Sequence, residues 1–168
     1  MFKRHVGFPA CAVEKSVMSF DYHVLVENFG RIWPVHVEAF TELLIALRRQ
    51  FGGDLDRMLV LAVIGTRTLH RGRSQGLSYD DFQTGRHNTT PDPLPINVQS
   101  ITACTGIPRE TVRRKVRELE ALGWIIKADK GHLIVTEQAA KDLAPGTEAT
   151  LRYLTAIGTA CSDLATPE

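Results

Sequence analysis

The sequence is poor in the features that announce a chemistry or a compartment. Its three cysteines, Cys11, Cys104 and Cys161, lie far apart and share no C-x-x-C or Cys/His spacing. That pattern excludes a disulfide framework and a zinc motif, and it fits a reducing compartment. Long apolar runs are missing too: MLVLAVIG at 58–65 falls far short of a membrane span. The N-terminal MFKRHVGFPACAVEKS begins basic, but Glu14, Lys15 and Ser16 interrupt the apolar core a signal peptide needs. A cytoplasmic location, away from any membrane, is expected. No P-loop, G-x-S-x-G or H-E-x-x-H occurs, and no carboxylate pair stands apart from ordinary loop acids, so neither an enzyme nor a cofactor or metal site is expected. An excess of one charge is also lacking. With 20 Lys and Arg against 19 Asp and Glu, the net charge is +1, and any nucleic-acid surface must be local.

What the sequence does have is helical periodicity, and the fold class it predicts is mainly α with a small β-hairpin. Residues 1–70 read as a helical N-terminal region serving dimerisation or effector binding. Within it, Phe20, Tyr22, Val24 and Val26 alternate as in a strand. From Pro34, placed as a first helical residue, Val37, Phe40, Leu44, Leu47 and Phe51 recur at helical spacing, and Gly52-Gly53 supplies a stop. Asp54 then caps a helix to about Leu69, whose apolar residues cover more than one face. Residues 71–95 are polar, with three glycines and three prolines, and read as a linker loop. An effector pocket for a small molecule is expected between the 35–70 helices and this linker. After residue 136, a short helix from Glu137 to Leu143 is predicted to end at Pro145-Gly146. A last helix from about Thr147 carries Leu151, Leu154, Ile157, Cys161 and Leu164 on one stripe, a candidate seam for a homodimer.

The densest signal lies in 96–136. Asn97 can cap a short helix in which Val98, Ile101 and Cys104 share a face, and Gly106 suits the left-handed turn that ends it. Ile107 then points inward and Pro108 fixes the start of the next helix. There Val112, Val116, Leu119 and Leu122 form a narrow stripe. At 100° per residue, Glu110, Arg114 and Arg117 fall nearly opposite, Arg113 lies beside them, and Arg109 sits in the first turn. Lys115 belongs to the same basic string. Gly123 stops the helix, WIIKA is β-prone, Asp129-Lys130-Gly131 forms a turn, and HLIVT returns. Helix, turn, helix and hairpin in this order predict a winged helix-turn-helix with flanking helices.

The string N-V-Q-S-I-x-x-x-x-G-I-P-R-E-T-V-R-R resembles the recognition element of Crp/Fnr-family bacterial transcription regulators. The resemblance covers about a quarter of the chain. It implies that Arg109, Glu110 and Arg114 meet base edges in the major groove, and that Gln99 and Thr111 approach the backbone. The chemistry agrees: Arg can bond guanine bidentately, and Glu can accept from cytosine N4. Two positions depart from the pattern, with Pro108 where a hydroxyl cap is usual and Arg113 where a small residue is usual. Nothing upstream resembles the cyclic-nucleotide β-roll of that family, and the helical layout is more similar to MarR-like or PadR-like regulators.

The expected function is sequence-specific binding of double-stranded DNA by a homodimeric transcriptional regulator. Arg113, Arg117, Lys127, Lys130 and His132 are expected to position the DNA backbone beside Gln99 and Thr111. The alternative is a protein-interaction module built on the same scaffold. Several other residues read more blandly. Tyr79, Asp80, Asp81 and His87 are surface groups without metal spacing, Asn88-Thr89-Thr90 is a sequon a cytoplasmic protein would not use, and Cys104 is a small core residue.

Overall fold

A computed structural model describes residues 22–68, 76–84, 96–128 and 131–164. The chain is mainly helical with one small antiparallel hairpin. Its elements are α1 (Tyr22–Glu27), α2 (Phe29–Gln50), α3 (Leu55–Thr68), α4 (Tyr79–Gln83), α5 (Val98–Thr105), α6 (Arg109–Ala121), β1 (Ile125–Lys127), β2 (Leu133–Val135), α7 (Glu137–Asp142) and α8 (Ala144–Ser162).

The N-terminal reading needs two corrections. Residues 22–27, read as strand-like, form a helical turn and a half. A strand there would need a partner for its backbone groups, whereas a helix satisfies them locally. Helix α2 begins at Phe29, so Pro34 lies inside it, where it removes the bond its N–H would give one turn back and sets its ring against the Gly30 carbonyl. The stop falls where expected. Gly52 and Gly53 take φ of 62° and 82°, and Asp54 Oδ1 accepts from the Arg57 N–H at 2.9 Å to cap α3.

Helix α3 buries Val60, Leu61 and Ile64 but leaves Leu55 and Leu59 exposed, so within one chain it is covered on one side rather than several. The stretch read as a linker contains α4. Ser78 caps it, accepting from the Asp81 N–H at 3.0 Å while its hydroxyl donates to the Asp81 carboxylate at 2.7 Å.

The core gathers α3, α5, α6 and the hairpin around Ile64, Ile101, Val112, Leu119, Ile125 and Leu133, all essentially inaccessible. The hairpin pairs Ile125 with Val135 and Lys127 with Leu133, and the Leu133 N–H also donates to the Ile96 carbonyl at 3.0 Å. Trp124 closes one side, edge-on to Phe51 at 5.6 Å, with its indole N–H donating to Asp142 at 2.8 Å.

Pro145-Gly146 starts α8 rather than ending α7. Proline in a first helical turn loses an N–H that has no partner there anyway. Helix α8 then runs antiparallel to α2: buried Gly146 lies against Leu47 and Gln50, and Tyr153 against His36 and Phe40. Of its predicted stripe, Cys161 is buried, Ile157 and Leu164 are half-buried, and Leu151 and Leu154 face outward. No helix among the described residues is long and apolar enough to cross a membrane.

Candidate nucleic-acid interface

Helix α5 is held at both ends by local chemistry. Asn97 Oδ1 accepts from the Ser100 N–H at 3.0 Å, and Gly106 leaves the helix at φ 73°. Ile107 is buried as expected. Cys104, expected in the core, is exposed. Steps of three residues turn 60° short of a full circle, so by the second step the stripe has swung away from Val98. Gln99 is exposed in the first turn of α5.

Helix α6 begins after Pro108 without a side-chain cap, so its first-turn N–H groups stay open to an acceptor from outside. Val112, Val116 and Leu119 face the core, but Leu122, expected on the same stripe, is the C-cap residue and is exposed beyond it. Arg109, Glu110, Arg114 and Arg117 are exposed, while Thr111 and Arg113 are half-buried. Glu110 lies among these arginines and accepts from Arg113 Nη1 at 2.6 Å. Arg114 Nε stands 3.8 Å from Glu118. Among the described residues, no carboxylate lies within ion-pair distance of Arg109 or Arg117. The outward face of α6 therefore presents four arginines and one acid.

Lys115 belongs to a different surface. It is 7 % exposed, and its ammonium donates to Asp54 at 2.6 Å and to Glu118 at 3.0 Å. Arg57 approaches the same Glu118 carboxylate at 3.9 Å. Burial pushes the Asp54 carboxyl up, yet hydrogen bonds from Lys115 and the Arg57 backbone, with both positive charges, hold it below its ordinary value. The bond to Asp54 raises Lys115 against the opposing effect of burial, and Glu118 adds to the rise. This cluster ties the start of α3 to the middle of α6. Angle alone could have flagged the burial, since Lys115 stands 60° from Val112 around the helix.

The hairpin lies beside α6. Lys127 on β1 is exposed but paired with Glu120 at 2.9 Å, and His132 is half-buried at the start of the return. Lys130 lies outside the described residues. Between α5, α6 and β1, Val98 and Val116 line a notch of about 230 Å³ together with Arg113, Arg117 and Lys127. An apolar floor with three cations at its rim suits a phosphate bearing a sugar or a neighbouring base.

A separate apolar cavity of about 150 Å³ lies between α3 (Leu61, Thr68), α4 (Phe82), β2 (Val135) and α7 (Ala140), and of the 35–70 helices expected to line an effector pocket only α3 reaches it. Its hydroxyls from Thr68, Thr136 and Thr147 already donate to backbone carbonyls. Asp80 and Asp81 sit on α4, with Asp81 engaged in its cap, and His87 lies outside the described residues. Among the described residues, no group of three His, Cys, Asp or Glu could hold a metal ion. No family model matches this sequence, and no curated protein or solved structure matches it.

Proposed function

We propose that residues 96–136 are a winged helix-turn-helix and that the protein is a transcriptional regulator binding double-stranded DNA sequence-specifically. The observation that carries this reading is the exposed side of α6, where Arg114 and Arg117 stand opposite a fully buried stripe, Arg113 lies beside them and Arg109 sits at the uncapped helix N-terminus. A helix of 13 residues that packs one face on the core and leaves the other exposed can enter a major groove, and its first two turns meet the bases. Arg109, Glu110 and Arg114 then read base edges, and the Arg113 bond orients the Glu110 carboxylate. Arg117, with Arg113 and Lys127 at the notch, holds phosphate, joined by Gln99 and Thr111.

The ion pairs of Glu110 with Arg113 and of Lys127 with Glu120 favour the second reading, a protein-interaction module, because they neutralise part of the basic face. Salt distinguishes the two. DNA binding through several phosphates loses affinity steeply as salt rises, whereas a protein-binding face has no affinity for duplex DNA to lose. The experiment is fluorescence anisotropy on a pool of genomic duplex fragments across a salt series. Arg109→Ala and Arg114→Ala are each expected to cost about 1–3 kcal/mol on the preferred sequence and to relax preference at one position. Arg117→Ala should weaken every sequence alike and flatten the salt slope. Equal losses on all sequences from Arg114→Ala would remove its base-reading role, and no salt-dependent binding at all would leave the interaction module.

A further inference from the structure

Most of the large hydrophobic side chains left exposed lie on α1, α2 and α8. On α2 they form a pattern. Trp33, Val37, Phe40, Leu44, Leu47 and Phe51 follow one another at steps of four, three, four, three and four, the 3.5-residue repeat of a helix that packs along another helix. The lower end of this seam enters the core through Phe51. The upper four residues remain 38–49 % exposed, with Phe40 reaching Tyr153 of α8 at its edge.

This open face is not the solvent side of α2. Arg31, Glu38, Glu42 and Arg49 all project from the opposite flank, and His36, Leu43 and Gln50 take the side that meets α8. On antiparallel α8, Leu151 and Leu154 flank the contact on the same side as the α2 seam, while Glu148 and Arg152 point away from it. The aromatic rings are already ordered. Phe29 stacks on Trp33 at 5.0 Å, His36 on Phe40 at 5.3 Å, and Phe40 meets Tyr153 at 5.8 Å.

We infer that Trp33, Val37, Phe40 and Leu44 of α2, with Leu151 and Leu154 of α8, form an interface with a second copy of this chain, converting a two-helix layer into a four-helix bundle. With Phe29, these side chains present roughly 600 Å² of apolar surface, at the upper limit of a monomer's largest patch and close to the ~800 Å² per partner of a standard interface. A helix carrying a 3.5-residue seam is itself the matching surface for another such helix, crossing at about 20°. A lipid surface fits poorly, because the charges of α2 are mixed in sign and give anionic headgroups no hold. In this interface α2, within the 1–70 region expected to serve dimerisation or effector binding, carries most of the seam, and the last helix, the other expected seam, contributes Leu151 and Leu154. The interface is independent of the DNA reading, and with it two α6 helices can address half-sites about 34 Å apart.

The test is sedimentation equilibrium of the full chain without DNA, across the micromolar range. A species of twice 18.7 kDa is expected. Trp33→Glu and Phe40→Glu should each raise the dimer dissociation constant by roughly 30-fold or more, with helical circular dichroism unchanged. Should either variant fail to fold, Leu154→Glu on the neighbouring helix reads the same face. A wild-type monomer throughout would overturn the inference and give the seam to residues 1–21 or to another protein. A dimer that survives in the folded variants would overturn it too, placing self-association elsewhere.

Discussion

Two regions of this chain are equally rich in apolar periodicity and use it differently. Around α3, α5, α6 and the hairpin, the stripes close on one another, and Ile64, Ile101, Val112 and Leu119 are sealed from water. In the α2–α8 layer only Leu43, Gly146, Ala149 and Cys161 are buried, and the upper part of the α2 seam stays 38–49 % exposed. Periodicity shows that a helix has a face to cover. Whether the same chain covers it depends on how many elements reach that face, and a two-helix layer has too few.

The comparison can be broken most directly by truncating one leucine in each region. Leu119→Ala should cost about 3 kcal/mol in urea unfolding, because it opens a cavity in a closed core. Next comes the joint between the regions. Lys115→Ala leaves Asp54 without its cation and should cost about 2 kcal/mol, with Lys115→Met recovering part of it through packing of the stem. This joint also has a pH signature. The folded Asp54 pKa is lowered, so its contribution is complete above the ordinary carboxyl value of about 3.9 and is lost as pH falls through the lower folded value. The folded Lys115 pKa is raised, so its contribution is complete below about 10.4 and is lost as pH rises through the higher folded value. Stability against pH should be less steep at the acid end in Lys115→Met than in the wild type. Asn97→Ala, which removes the cap of α5, should cost about 1 kcal/mol in the same urea assay. Leu154→Ala, at dilution, should change chain stability by less than about 0.5 kcal/mol. If its cost matched that of Leu119→Ala, the outer layer would be as closed as the core.

The inner unit was largely legible in the sequence because its signals are local. The Asn97 cap, the Gly106 turn, inward Ile107 and the Val112-Val116-Leu119 stripe each depend on neighbours within a few residues. The arginines of α6 could be assigned to the outward face by angle for the same reason. Lys115 stands in the same basic string, and only its angle, 60° from Val112, and Glu118 three residues on mark it locally, since its partner Asp54 lies 61 residues away. Pro145-Gly146 was ambiguous in kind, since the same pair can end one helix or begin another. The six residues of α1 were too few for a period of two to be told from one of 3.6. The Ser78-x-x-Asp81 cap stands in the sequence too, but the polar stretch around it carries no apolar period to mark a helix.

The corner between α2 and α3 has a mechanical consequence. Only Phe51, Gly52, Gly53 and Asp54 join α2, a rod about 33 Å long, to α3, with Phe51 buried in the core and Asp54 gripping α6 through Lys115. A rotation of about 5° there would swing the far end of such a rod by about 3 Å. A four-residue elbow anchored by Phe51 and Asp54 thus sets the lever arm between the outer layer and the arginine face, and lengthening it by a single glycine would detune that spacing without touching either surface.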